Sequence, residues 1–167
     1  MKVVNSPIPR DLYRKIHKLL PLVCVDAVVV GGGREKRFLF VRRENEPEKG
    51  AWWFPGGRIF KNEKLADAAL RKVKQELGLP AKIKKQLGTY EFFSKTGYFK
   101  GTNTHMIAIV YLAEVDIDKK VMTDWQSSGS KWFGKINPGW HPYLKQYLKL
   151  AGFKEGNEPR RFKLPYV

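Results

Sequence analysis

The sequence has little cysteine and no long, uninterrupted apolar run. Its one cysteine, Cys24, lies in the segment LVCVDAVVV, so an intramolecular disulfide is excluded and a buried, structural thiol is predicted. Asp26 interrupts that segment, and residues 1–20 carry charges throughout, without the apolar core of a signal peptide. We therefore expect a cytoplasmic protein with no membrane span.

Acidic residues are also scarce relative to basic ones. The chain has 32 lysines and arginines against 16 aspartates and glutamates, which gives a net charge of +16 and a pI near 10.0. Such a charge attracts anions, so nucleic acid, acidic membrane surfaces and small phosphorylated molecules all fit it. A lysine-rich surface can equally reflect solubility or adaptation to heat or salt. The charge alone does not select a partner.

The chain does contain enough apolar material for one core. Its 167 residues are 43% hydrophobic and 13% aromatic, a length and composition that predict a single domain over residues 1–167. We expect residues 1–21 to form an N-terminal helical arm and residues 152–167 to form a basic C-terminal tail. The sequence contains no internal repeat.

Hydrophobic periodicity, with glycine and proline at the boundaries, predicts a series of helices and strands. Helices are predicted over residues 9–20, 63–77 and 142–150. Strands are predicted over residues 22–30, 37–41, 83–93 and 105–115, with a short last strand at 132–133. Strands in this mixed order, with a helix for each side, indicate an α/β/α sandwich built on a mixed sheet.

The segment GGRIFKNEKLADAALRKVKQELGL, residues 56–79, combines a glycine turn with an amphipathic helix. Backbone N–H groups and the positive end of the helix dipole can receive an anion there, because glycine permits close approach. Glu76 falls beside the apolar stripe of the helix, where a carboxylate requires a cation or a metal as its partner. Arg71, a nearby lysine and a metal ion are the alternatives.

The same segment resembles the signature of the Nudix hydrolases. That signature is a glycine, five residues, a glutamate, seven residues, then Arg-Glu-hydrophobic-any-Glu-Glu-any-Gly-hydrophobic. The chain matches it in register at Gly57, Glu63, Arg71, Val73, Glu76, Gly78 and Leu79. Lys72 and Gln75 stand where the signature has further glutamates. The resemblance implies a Nudix fold whose site keeps one metal-binding carboxylate, too few acids for several divalent ions.

A reduced signature of this kind is characteristic of one branch of the family, the GDP-mannose mannosyl hydrolases. The segments PLVCVDAVVV, FVRRENEPEKGAWWFPGGRIFKNEKL, KQELGL and GTNTHMIAIVYLAEV resemble that branch in the same order. The resemblance implies a hydrolase of nucleoside diphosphate sugars that uses one Mg²⁺ ion, with Mn²⁺ as a substitute. In that reaction water attacks the anomeric carbon of the sugar, which releases the nucleoside diphosphate and a hexose.

The resemblance also implies a set of metal ligands. They are the Gly57 carbonyl, the Glu76 carboxylate and the side-chain oxygen of Gln126. All of them are hard oxygen donors of the kind that Mg²⁺ prefers, and they leave coordination positions for substrate and water.

Charged residues around this set match positions of the same branch. Arg43 and Arg58 are expected to neutralise the leaving diphosphate, a task suited to a planar guanidinium. Arg71 either shares that task or pairs with Glu63. Asp26 matches an aspartate that faces the substrate, with a satisfied core acid as the alternative.

The general base is the position where the chain departs most from the branch. Ser127 stands where the branch has a histidine, and a serine does not accept a proton near neutral pH without help. Asp124 is the nearest alternative, although an ordinary carboxylate is a weak base. His105 and Trp53 are expected to contact the substrate, with a structural role open for both, and His17 is expected at the surface.

Three functions remain to be distinguished. The first is the sugar hydrolase, and the second is a pyrophosphatase that attacks phosphorus to give a nucleoside monophosphate and a sugar phosphate. The third is a nucleotide- or RNA-binding module without turnover, which rests on charge alone because no RNA-binding motif is recognisable. The N-terminal helix resembles the arm that pairs subunits in the mannosyl hydrolases, so a homodimer is expected.

Overall fold

The computed structural model describes residues 1–124 and 126–157. The helices and strands in these ranges are, in chain order, α1 (Arg10–Leu19), β1 (Leu22–Gly31), β2 (Arg37–Arg43), β3 (Trp52–Trp53), β4 (Gly56–Arg58), α2 (Leu65–Leu77), β5 (Ala81–Ser94), β6 (Thr104–Val115), β7 (Ser127–Phe133) and α3 (Pro142–Leu150). No helix within the described ranges is long and apolar enough to span a membrane.

The strands form one mixed sheet. Its order is β3-β2-β1-β6-β5, with β4 paired to β1 and β7 paired to β2. Strands β1 and β6 run parallel, and the remaining pairs are antiparallel. This order puts β1 at the centre of the sheet, where its residues are covered on both faces.

Side chains of β1 alternate between the two faces of the sheet, as the period of a strand requires. Val28 and Val30 belong to the core cluster that includes Tyr143 of α3. Ala27 and Val29 belong to the cluster that includes the buried residues of α2. Helices therefore cover both faces, which confirms the predicted α/β/α sandwich with a mixed sheet.

Each predicted helix and strand is present. Helix α2 begins at Leu65 instead of residue 63, and it ends as expected because Gly78 adopts a left-handed φ of 70° and donates its N–H to the Lys74 carbonyl. Strand β7 is longer than predicted. Strands β3 and β4 have no counterpart among the predicted elements, since segments this short show no periodicity.

The first residues of the predicted C-terminal tail pack in the folded core instead of forming a tail. Phe153 is buried in the cluster that α3 covers, because its ring removes a large apolar area from water there. Glu155 forms a β-bridge with Ile136 and an ion pair with Lys149. The rest of the predicted tail lies outside the described residues.

Candidate active site

A cavity of about 450 Å³ is lined by residues from α1, α2 and all seven strands. Its lining includes most of the site residues predicted from the sequence, namely Asp26, Arg43, Trp53, Gly57, Arg58, Arg71, Glu76 and Gln126. Among the described residues, His105 and Asp124 are the two predicted positions that the lining does not contain. The fold thus brings distant segments of the sequence to one site.

Glu76 is the carboxylate that α2 contributes to this cavity. Its side chain is 6% exposed, and Oε1 lies 2.7 Å from Nζ of Lys72. The backbone N–H of Gly56 donates to the same oxygen at 3.3 Å. Burial raises the pKa of the Glu76 carboxyl, and the adjacent lysine opposes that shift. Of the alternatives open from the sequence, a lysine is therefore the side-chain partner of Glu76 in the structure.

Two glycines allow the backbone of β4 to approach these side chains closely. A Cβ atom on Gly56 would overlap the Asp26 carboxylate. A Cβ atom on Gly57, whose φ is 149°, would lie 3.0 Å from Cε of Lys72. Because only glycine fits both places, the lysine side chain lies directly on the backbone of the turn.

Asp26 lies on β1 opposite Gly56 of β4 and is buried. The hydroxyl of Tyr143, on α3, donates to Oδ2 at 2.6 Å. Burial raises the pKa of Asp26 to about 6, although the Tyr143 hydrogen bond and the nearby Arg43 oppose the shift. A carboxyl group with such a pKa exchanges its proton near neutral pH, so it can act as a general acid or base. Asp26 is both a hydrogen-bonded core acid and a cavity residue.

Arg43 and Arg58 bring positive charge to the cavity from two strands. Nε of Arg43 donates to the Pro47 carbonyl at 2.6 Å, and burial lowers the pKa of this guanidinium. The Arg58 guanidinium lies over the rings of Tyr13 at 5.5 Å and Phe60 at 5.2 Å, a favourable arrangement for a cation. A guanidinium has further N–H groups, so both arginines can still donate to phosphate oxygens.

Arg71 pairs with Glu63, the second of the two roles that the sequence left open for it. Its Nε and Nη2 atoms donate to the two carboxylate oxygens of Glu63 at 2.6 and 2.8 Å, and Nη2 also donates to the Arg58 carbonyl at 3.1 Å. Glu63 accepts a further hydrogen bond from the Phe60 backbone N–H at 2.9 Å. The Arg71 hydrogen bond is the main cause that lowers the pKa of Glu63. This pair fixes the loop between β4 and α2.

The segment before β7 brings Gln126 to the cavity. The backbone N–H of Gln126 donates to Oδ1 of Asp124 at 3.0 Å, and its Nε2 lies 3.4 Å from Oδ2. This contact leaves the amide oxygen of Gln126 as an acceptor for a cation. Asp124 therefore positions Gln126. Ser127 lines the cavity and pairs with Arg43 across β2 and β7.

The two predicted substrate contacts differ in position. His105 is not part of the cavity lining, whereas Trp53 is. Nε2 of His105 lies 3.0 Å from Oε1 of Glu91 on the neighbouring strand. Its neighbours in β6, Thr104 and Met106, line the cavity instead, because successive residues of a strand face opposite sides. Trp53 is 4% exposed and belongs to the core, although it also forms part of the cavity lining.

One wall of the cavity was not anticipated from the sequence. Tyr13 and His17, one turn apart on α1, have ring centroids 4.5 Å from each other, and both contact the rings of Tyr98 and Phe99. Nε2 of His17 is buried without a hydrogen-bond partner in the described residues, and burial lowers the pKa of this imidazole. The expected surface position of His17 is therefore wrong, because α1 packs over the loop before β6.

Residues 20–140 match the family model of the NUDIX domain, a span that includes α2 and every strand of the sheet. The chain belongs to the Nudix hydrolase family. Nudix hydrolases typically use divalent metal ions such as Mg²⁺. The match confirms the family predicted from the signature, and the GDP-mannose branch stays a prediction.

Two relatives of this Nudix hydrolase are archaeal proteins. The low-salt glycan biosynthesis protein Agl8 of Haloferax volcanii is 40% identical over 145 residues, which cover 86% of this chain and 90% of that protein. The ADP-ribose pyrophosphatase of Methanocaldococcus jannaschii is 32% identical over 106 residues, or 64% of this chain and 58% of that protein.

Solved structures support the fold. The MutT NUDIX hydrolase from Burkholderia pseudomallei has a TM-score of 0.58 and 23% identity, and the match covers 78% of this chain and 96% of that one. The NUDIX domain of Shewanella oneidensis NrtR, complexed with ADP ribose, has a TM-score of 0.57 and 22% identity, covering 85% and 88%. At this level of identity the likeness establishes the Nudix fold.

The chemistry of the cavity fits one hard divalent ion. No cluster of three or more acidic, histidine or cysteine side chains able to hold a metal occurs in the part of the chain that the structure describes. The available donors are instead a mixture of oxygens from Gly57, Glu76 and Gln126, which line one cavity. Such donors suit Mg²⁺, and a single carboxylate among them limits the site to low charge.

Proposed function

We propose that this Nudix hydrolase cleaves nucleoside diphosphate sugars related to GDP-mannose, with one Mg²⁺ ion, by attack of water at the anomeric carbon. The observation that carries the proposal is the meeting of Arg43 and Arg58 with the oxygens of Gly57, Glu76 and Gln126 in one cavity. Guanidinium groups beside a metal-binding carboxylate form a site for a diphosphate. The relative from Haloferax volcanii, named for glycan biosynthesis, supports a sugar-containing substrate.

The chain's own residues can supply the remaining chemistry. Gly57, Glu76 and Gln126 would hold Mg²⁺, which when bound would supply a Lewis acid for the diphosphate oxygens. Arg43 and Arg58 would neutralise the charge that develops on the leaving diphosphate. Asp26 is better suited to accept the proton of the attacking water than Ser127 is, because burial raises its pKa to about 6. The position of Asp124, hydrogen-bonded to Gln126, favours a supporting role for it.

Attack at phosphorus is the second candidate. It is favoured by the relative from Methanocaldococcus jannaschii, which is named an ADP-ribose pyrophosphatase, and by the absence of a histidine at position 127. This reaction would use the same cavity and the same arginines. Its products would be a nucleoside monophosphate and a sugar phosphate.

Hydrolysis in ¹⁸O-labelled water separates the two reactions. The purified protein is incubated with Mg²⁺ and with GDP-mannose, ADP-ribose and other nucleoside diphosphate sugars, and the products are identified by mass spectrometry. Label in a free hexose supports attack at carbon, whereas label in a monophosphate product supports the pyrophosphatase. No metal-dependent turnover of any compound would overturn both and favour the nucleotide- or RNA-binding module.

Matched variants of α2 test whether the described cavity performs the reaction. Glu76→Gln changes the buried carboxylate and should abolish most turnover, whereas Lys74→Met changes an exposed side chain of the same helix and should not. Equal turnover by wild type and Glu76→Gln would place the reaction elsewhere.

We also propose that the chain forms one domain that pairs into a homodimer through α1. Leu12, Leu19 and Leu20 are 51%, 77% and 60% exposed on this helix and its C-cap, and exposed apolar side chains of this kind favour association. Light scattering of the wild type should give twice the mass of the chain. A monomeric mass at micromolar concentration would rule the dimer out.

A further inference from the structure

Lys72 has an unusual position for a lysine. Its side chain is 9% exposed, and its ammonium group is buried in the cavity wall against Glu76. Lysine is rarely buried unless it is paired, and a buried ion pair is weak grounds for stability because both charges lose their hydration. The ammonium group therefore calls for a role beyond packing.

The ammonium group borders the oxygen donors proposed for a metal ion. A Cβ atom placed on Gly57 would lie 3.0 Å from Cε and 3.4 Å from Nζ of Lys72, so the lysine side chain lies beside this glycine. Its Nζ contacts Oε1 of Glu76 at 2.7 Å. Gly57 and Glu76 are two of the three oxygen donors proposed for Mg²⁺. In the family signature this residue is a glutamate, so the substitution turns a negative charge into a positive one at the cation site.

We propose that Lys72 is a built-in cation of the diphosphate site, which binds phosphate oxygens directly and stands in for the additional divalent ions of a full Nudix signature. The inference rests on the proposed function in one respect, that the ligand carries a diphosphate. An ammonium group has three N–H donors, so one can serve Glu76 while the others donate to phosphate. Unlike a metal ion, this cation stays in place in the presence of a chelator.

The first test is the binding of inorganic pyrophosphate in EDTA, measured by isothermal titration calorimetry. Wild-type protein should bind pyrophosphate without metal, and Lys72→Met should bind it at least about tenfold more weakly, as expected for loss of a charged hydrogen bond. Lys74→Met, an exposed lysine on the same helix, is the control for general positive charge and should match the wild type.

A second pair of variants guards against misfolding. Lys72→Met leaves a buried carboxylate without its lysine, so the double variant Lys72→Met/Glu76→Gln removes both charges. Its proper comparison is Glu76→Gln, which keeps the lysine. The double variant should bind pyrophosphate at least about tenfold more weakly than Glu76→Gln. If the affinities for pyrophosphate agree within twofold in both comparisons, Lys72 is a structural residue and the proposal is overturned. Absence of pyrophosphate binding by the wild type in EDTA would also overturn it.

The metal itself gives an independent readout. Mn²⁺ binding without nucleotide is followed by electron paramagnetic resonance for wild type and for Lys72→Glu, which restores the acid of the signature. Removing a competing cation and adding a carboxylate should tighten Mn²⁺ binding at least about tenfold. Unchanged affinity would show that the charge of Lys72 does not act at the metal site, and would count against the proposal. These measurements involve no cleavage of a sugar nucleotide, so the inference and the proposed function can fail separately.

Discussion

The first half of the Nudix signature, which ends at Arg71, and the second half, which begins at Lys72, use charge differently. In the first half Arg71 and Glu63 form a pair with two hydrogen bonds that ties the loop after β4 to α2. In the second half Lys72 replaces an acid and pairs with Glu76 in the cavity wall. The pair that supports the loop is thus kept, whereas at position 72 a positive charge stands where the signature has a negative one.

The largest expected effect lies in the second half. Glu76→Gln removes the only carboxylate among the proposed metal ligands, and we expect kcat/KM to fall by about 100- to 1000-fold with Mg²⁺. Steady-state kinetics on whichever sugar nucleotide the wild type hydrolyses checks this. A loss below about threefold would break the assignment of the second half to catalysis.

Removing both charges of each pair compares the halves directly. Arg71→Met/Glu63→Gln should lower the free energy of unfolding by about 3 kcal/mol, because two charged hydrogen bonds are lost and the Arg58 carbonyl also loses its Arg71 donor. Lys72→Met/Glu76→Gln should change it by about 1 kcal/mol or less, since replacing a buried ion pair by neutral groups is often harmless. Urea denaturation in EDTA measures both. Equal losses would mean that the second pair is scaffold too.

Asp26 extends the comparison to β1. Burial is the largest cause that raises its pKa to about 6 from an ordinary 3.8. Between these values the folded state holds more protons than the unfolded chain, so the wild type's free energy of unfolding falls as pH rises to about 6 and stays lower above it. Asp26→Asn lacks this loss, on the order of 3 kcal/mol, and should gain stability relative to wild type from about pH 4 to pH 7.

Urea denaturation of both proteins in EDTA at several pH values gives this difference directly. The Asn side chain keeps an acceptor for the Tyr143 hydroxyl, so the variant isolates the titration from the hydrogen bond. A difference that stays constant with pH would show that folding does not raise the pKa of Asp26.

The smallest effect concerns Cys24, which lines the same cavity from β1. Burial, and to a lesser degree Asp26, raises the pKa of this thiol to about 12. A thiol of that kind is nearly inert, so it should react with a disulfide reagent at least about 100-fold more slowly in the native protein than in denaturant. Cys24 is the one cysteine in the chain, so the signal has one source. Fast native labelling would show that the cavity wall near β1 opens.

The helices and strands with a regular apolar period could be predicted from the sequence, and so could the positions of the signature residues. The apolar stripe of α2 located Glu76 beside the core, and the alternatives for its partner included the lysine that the structure shows. The spacing of Lys72 and Glu76, one helical turn, places them on one face of any helix. What the sequence cannot supply is the packing of the Lys72 side chain beside Gly57, because residues 57 and 72 come together only in the folded chain.

Three residues lie where the sequence alone did not place them, and each is positioned by tertiary packing or by strand phase. His17 joins the cavity wall because α1 packs on Tyr98 and Phe99, residues with no sequence relation to it. His105 faces away from the cavity because the phase of β6 turns Met106 inward, and a shift of one residue decides the face. Phe153 joins the core through tertiary packing after α3 has ended.

The parallel pairing of β1 with β6 has a consequence for how the protein folds during synthesis. Residues 22–30 pair with residues 106–114, so one edge of the central strand stays open until most of the chain has left the ribosome. Contacts of such long sequence separation slow folding and expose strand edges meanwhile. Strand β1 carries Asp26 and supports β4, which carries Gly57. The cavity is therefore among the last parts of this protein to acquire its final shape, and we expect nascent chains to be most prone to aggregate before that step.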